Sequence, residues 1–79
     1  MKYYQITKIL REELESPYAD IYVSNGDIFR ALPVQGFKIM DVSGPGSKEP
    51  DTLKSGQTFI SLENIVAIVG VNGGFQNKV

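Results

Sequence analysis

The chain has no cysteine, no histidine and no tryptophan. Without cysteine there is no disulfide, no thiolate metal site and no redox pair. Without histidine the commonest general base and the commonest metal ligand are both missing. Eight Lys and Arg stand against nine Asp and Glu, a net charge of -1, with a sequence pI of about 5.2. That balance excludes a protein that grips nucleic acid by bulk charge, for which a domain pI above about 9 is usual. Long apolar runs are absent too. The longest, Ile65 to Val71, falls far short of the roughly 20 residues of a membrane helix. The start is broken by Gln5, Lys8, Arg11 and glutamates, so it does not read as a signal peptide. The default expectation is a bacterial or phage cytoplasm.

What remains is 79 residues, 42% of them hydrophobic. This is the size of one domain, 1–79, with a small core.

Residues 2–15 carry Tyr3, Ile6, Ile9 or Leu10, and Leu14 at helical spacing. Lys8 with Glu12 and Arg11 with Glu15 are opposite charges four apart. Ser16-Pro17 closes the segment, because the residue before proline is driven out of helical dihedrals. Glu12, Glu13 and Glu15 work against it, since they crowd the end where a helix dipole favours cations.

From Ala19 the period becomes two. Asn25-Gly26 lies between two alternating runs, a strong hairpin signal. A two-residue turn there sets Val23 opposite Ile28 and Tyr22 opposite Phe29, with Ile21 facing Arg30. Ile21, Val23, Ile28 and Leu32 then share the core face, and Tyr22 and Phe29 pair on the other. Pro33 and Gly36 bracket a bend, and Phe37 to Val42 resumes a strand. Residues 43–57, broken by Gly44, Pro45, Gly46, Pro50 and Gly56, read as one long mobile loop. Strands follow over Thr58–Leu62 and Ile65–Val71, joined by a tight turn at Glu63-Asn64. Residues 72–79 form a tail. One helix and about five short strands make a mainly β domain, a small, strongly bent five-stranded barrel.

This order resembles the Sm-like family. The first motif lies in Ile21-Tyr22-Val23-Ser24-Asn25-Gly26-Asp27-Ile28-Phe29-Arg30-Ala31-Leu32 and Gly36-Phe37-Lys38-Ile39-Met40-Asp41-Val42. The second lies in Phe59-Ile60-Ser61-Leu62-Glu63-Asn64-Ile65-Val66-Ala67-Ile68. The likeness covers most of the chain in layout and is loose in residues. It implies a ring of subunits joined by strand edges, with single-stranded RNA at the pore. Asp41 stands in the first motif without the asparagine that RNA-binding members carry, and Ser61-Leu62 or Leu62-Glu63 replaces their basic residue and glycine.

Catalytic chemistry has little to stand on. Six serines have no histidine beside them, and Ser47-Lys48 are neighbours in a loop. Gly44-Pro45-Gly46-Ser47-Lys48 lacks the phosphate-loop spacing. Asp41, Glu49 and Asp51 match no calcium loop. The expectation is therefore no enzyme, no catalytic residue, no metal, no cofactor and no small-molecule substrate.

Aromatic and basic residues are the better candidates. Tyr22, Phe29, Arg30, Phe37, Lys38 and Asp41 are read as interface or RNA contacts. Ile65 to Val71 is apolar on both faces, so either the helix or another subunit covers one of them. Phe59, Ile60, Ile65, Val66 and Ile68 are read as a subunit edge. The function expected is a non-enzymatic assembly module that forms homo-oligomers. The alternative is an Sm-like ring that binds single-stranded RNA.

Overall fold

The computed structural model describes residues 1–41 and 49–72. It is mainly β, with one N-terminal helix and two three-stranded antiparallel sheets. The strands are β1 Tyr18–Val23, β2 Ile28–Pro33, β3 Phe37–Met40, β4 Thr52–Ser55, β5 Thr58–Ser61 and β6 Ile65–Val71. Sheet A has the order β2-β1-β6 and sheet B the order β3-β4-β5. Two short 3-10 turns, Val34–Gly36 and Leu62–Asn64, carry the chain between the sheets. Both corners fall where Pro33 with Gly36, and Glu63-Asn64, predict them.

The helix is shorter than the spacing predicts. An α-helix, α1, spans Tyr3–Lys8 and passes into a π-turn over Ile9–Glu13, with Leu14 already extended. The Leu14 N–H donates to the Ile9 carbonyl at 2.7 Å, five residues back. The glutamates at this end oppose the helix dipole and offer the last turn no support. The apolar stripe still does its work: Ile6 is fully buried, with Tyr3 and Leu10 packed beside the core. The Met1 ammonium donates to the carbonyls of Leu62 and Ile65 at 2.7 and 2.6 Å, tying the helix to the second corner.

The core joins Ile6, Ile21, Val23, Leu53, Ile60, Leu62 and Ile65. It lies between the sheets under α1. Ile65 of β6 shares this core with Ile6 of α1, while Val66 and Val69 of the same strand stay exposed.

The first hairpin departs from the predicted register. Tyr22 faces Ile28 and Ile21 faces Phe29. The loop has three residues rather than two. The Gly26 N–H donates to the Val23 carbonyl, and the Val23 N–H donates to the Asp27 carbonyl. Gly26 takes φ 97, the left-handed residue that completes a three-residue turn. A one-residue slip turns every side chain over. Phe29 thus packs on the core, and Ile28 lies outward beside Tyr22. The Tyr22–Phe29 pair and the inward Ile28 are both corrected.

A bulge then restores the register. Between the pairs Ile21–Phe29 and Ala19–Leu32, β1 has only Asp20, while β2 has Arg30 and Ala31. Ala31 adopts φ 53, and its N–H donates to Asp20 Oδ1 at 2.7 Å. Leu32 returns to the core side as predicted.

The largest correction concerns the long loop. Residues 52–55 of the predicted loop are β4, the central strand of sheet B, with Leu53 fully buried. Among the described residues there are therefore six strands in two three-stranded sheets, rather than five in one closed barrel. Ser55 faces Thr58 across a two-residue turn in which Gly56 takes φ 60. Positive φ at the first central position suits a glycine-led hairpin turn. β3 ends at Met40, and β5 ends at Ser61 rather than Leu62. Val42, the predicted end of the third strand, loop residues 43–48 and tail residues 73–79 lie outside the described residues. Among the described residues, no helix is long and apolar enough to cross a membrane.

Candidate functional site

Two strand edges meet at one corner. β5 pairs only with β4, and β6 only with β1, among the described residues. Each strand leaves one row of N–H and C=O groups without a ladder partner, a ready template for another strand. The turn Leu62–Asn64 joins them, so both edges run from a single bend.

Large apolar side chains stand exposed beside these edges. Phe59 on β5 is 56% exposed, and Val66 and Val69 on β6 are 58% and 44% exposed. Of the residues read as a subunit edge, Phe59 and Val66 point outward. Ile60 and Ile65 are buried in the core, and Ile68 packs against it. Val69 was not among those residues. Its exposure follows from a register shift: Val23 faces Ile65 and Tyr22 faces Ala67, so Val66 is an extra residue in β6. The bulge moves the outward positions to Val66, Ala67 and Val69, which strict alternation from Ile65 does not give.

The residues read as RNA contacts are spread over two sheets. Tyr22 is half-buried on the outward face of sheet A, opposite Ile28 and Ala67. Arg30 is exposed, with its guanidinium 3.7 Å from Asp20 Oδ2. Phe29 and Phe37 are half-buried and pack against the core. Lys38 is exposed on sheet B, and Asp41 follows the end of β3.

Sheet B places residues together that their distance in sequence conceals. Lys38 faces Lys54, and Lys54 faces Phe59. The three form one row on the outward side, since the next row, Ile39, Leu53 and Ile60, turns inward. Lys54 Nζ sits 5.7 Å from the centre of the Phe59 ring, within cation–π range. Lys54 escaped the sequence reading because its strand was read as loop.

A shallow cavity of about 200 Å³ lies between the first hairpin turn and β5, with Phe29, Phe59, Asn25 and Asn64 in its lining. Its polar groups serve the turn itself. Asn25 Oδ1 accepts from the Asp27 N–H, and Asn25 Nδ2 donates to Asp27 Oδ2.

Fold and surface together define a small two-sheet β domain with two open, apolar-flanked edges at one corner. Comparison with protein-family models, with characterised proteins and with solved structures finds no match.

Proposed function

We propose that this chain is a non-enzymatic assembly module whose copies join edge to edge, β5 of one subunit against β6 of the next, in an Sm-like arrangement. The observation that carries this reading is the pair of open edges flanked by exposed Phe59, Val66 and Val69. A single small chain gains nothing by leaving these side chains in water, and an edge row invites pairing. The two edges differ in sequence, so the contact is heterologous and closes into a ring if the rotation per subunit divides the circle. The N-terminal helix, the bent path through two corners and the return of β6 to β1 support the Sm-like layout.

Light scattering at micromolar concentration tests it. The expected mass is a multiple of the 8.7 kDa chain. Val66→Lys and Val69→Lys, each placing a charge beside the edge, are expected to give monomer that keeps its far-ultraviolet circular dichroism. A parent chain that is monomeric at that concentration overturns the reading.

A further inference from the structure

We propose that copies of this chain dock through opposite charges, the Lys38–Lys54 pair on sheet B of one copy against Glu12 and Glu15 at the end of the helical segment of another. The inference rests on the self-association proposed above and adds a side-chain contact that fixes which faces meet. The three strands of sheet B contain two charged side chains, and both are lysines placed directly opposite one another. Opposed strand positions lie about 5 Å apart at Cβ, where like charges destabilise a sheet. The next outward row, Met40, Thr52 and Ser61, contains no carboxylate. Lys54 reaches the Phe59 ring, but neither lysine has an ion-pair partner among the described residues.

The complementary patch is set by the π-turn. Residues 8–15 hold Glu12, Glu13 and Glu15 against Lys8 and Arg11. An α-helix sets Lys8 beside Glu12 and Arg11 beside Glu15, four residues on. The π-turn over Ile9–Glu13 bonds five residues back, so Lys8 meets Glu13 instead, at 3.9 Å, and Leu14 turns extended before Glu15. Glu12 and Glu15 are exposed, with no ion-pair partner among the described residues. They stand at the negative end of the helical segment, where carboxylates are disfavoured and a cation is favoured.

Each patch is unfavourable where it stands, and each supplies what the other lacks. The two lysines and the two glutamates belong to one chain, yet no ion pair joins them within it among the described residues. A second copy brings them together. Complementary charge steers the encounter and fixes orientation more than it adds affinity. Edge pairing uses the N–H and C=O groups of β5 and β6, so the two contacts draw on different groups.

The test is light scattering over a dilution series, at low and at high salt, with a charge reversal on each side. Lys38→Glu gives Lys54 an opposite charge across the strands, and Glu12→Lys puts a cation at the negative end of the helical segment. Neither change is expected to unfold the chain, and circular dichroism checks this. In the parent, the dissociation constant is expected to rise roughly tenfold from low to high salt, as screening weakens exposed pairs. Each reversal is expected to raise it by about tenfold at low salt, because like charges then meet. Mixing the two variants is expected to restore association. The intact lysines of the Glu12→Lys copy then meet the intact glutamates of the Lys38→Glu copy. A mixture no tighter than either variant alone overturns the proposal. If Val66→Lys dissociates the chain while salt and both reversals leave it unmoved, edge pairing stands and this contact falls, leaving the lysines to a different anionic partner. If the reversals act and the mixture recovers while Val66→Lys is silent, this contact stands and edge pairing falls. A parent that is monomeric at low salt overturns both.

Discussion

Replacing Asp20 tests the device that keeps sheet A in register. Asp20 is 9% exposed, and its Oδ1 accepts the Ala31 N–H at 2.7 Å. Asp20→Ala removes a hydrogen bond to a charged acceptor, a loss of about 1.5–3 kcal/mol. Its pairing with Arg30 adds little. The distance is 3.7 Å and the Arg30 side chain is 69% exposed, so the pair contributes less than about 1 kcal/mol. The total is about 2–3 kcal/mol, a large share of the stability of so small a domain. With a urea slope of about 1 kcal/mol per molar, the midpoint falls by about 2–3 M. Asp20→Asn keeps an oxygen for the same N–H and is expected to cost less than half as much. Ala31→Gly works in the opposite direction. It relieves about 1–2 kcal/mol of left-handed strain and gives back about 0.5–1 kcal/mol of backbone entropy, for a net gain of about 0.5–1 kcal/mol. Urea denaturation of the three variants decides the matter. If Asp20→Ala and Asp20→Asn cost the same, and both less than about 0.5 kcal/mol, the carboxylate does not hold the bulge.

Phe29→Ala is expected to cost about 2–3 kcal/mol and Tyr22→Ala less than half of that, by denaturant midpoint, since only Phe29 packs on the core. Reversed costs restore the two-residue turn. Gly70→Ala places a Cβ 2.7 Å from Ser16 Oγ and 2.9 Å from Leu14 Cδ1, both movable side-chain ends, and is expected to cost about 1 kcal/mol. Gly70→Val costs more, read by thermal midpoint. Lys38→Glu replaces a like-charge pair by an opposite one and is expected to gain about 0.2–1 kcal/mol in chemical denaturation.

The elements legible in the sequence are those whose signal is local. Pro33 and Gly36 mark one corner, and the bounds of β6 follow from an unbroken apolar run. The helical stripe through Tyr3, Ile6 and Leu10 finds the core. The missed elements depend on partners distant in the chain. Thr52-Leu53-Lys54-Ser55 offers a single large apolar residue, yet as a central strand it is covered on both sides, and even Thr52 and Ser55 are buried. The signal that finds it is Gly56-Gln57 set between Leu53-Lys54-Ser55 and Thr58-Phe59-Ile60 as a two-residue hairpin. Asn25-Gly26 locates the first turn correctly but does not fix its length. The two registers differ by one residue and invert the faces of Ile28 and Phe29. The bulge at Ala31 was hidden because alanine gives no sign of positive φ. Of the candidate site, the exposed Phe59 and Val66 could be read directly. The Lys38–Lys54 juxtaposition could not, because it exists only once β4 is recognised.

The placement of β1 has a consequence for how the chain comes together during synthesis. β3, β4 and β5 are consecutive in the chain and each pairs with its sequence neighbour, β4 with β5 across a two-residue turn. β1 is central in its sheet, yet one of its two partners is β6, the last strand in chain order among the described residues. Local contacts form early and distant ones wait for closure of the intervening chain. Until Ile65–Val71 leaves the ribosome, Tyr18–Val23 presents a bare edge whose buried positions Ala19, Ile21 and Val23 lack their cover. During that interval the nascent chain is most open to pairing with the wrong strand, including the exposed edge of a copy already folded.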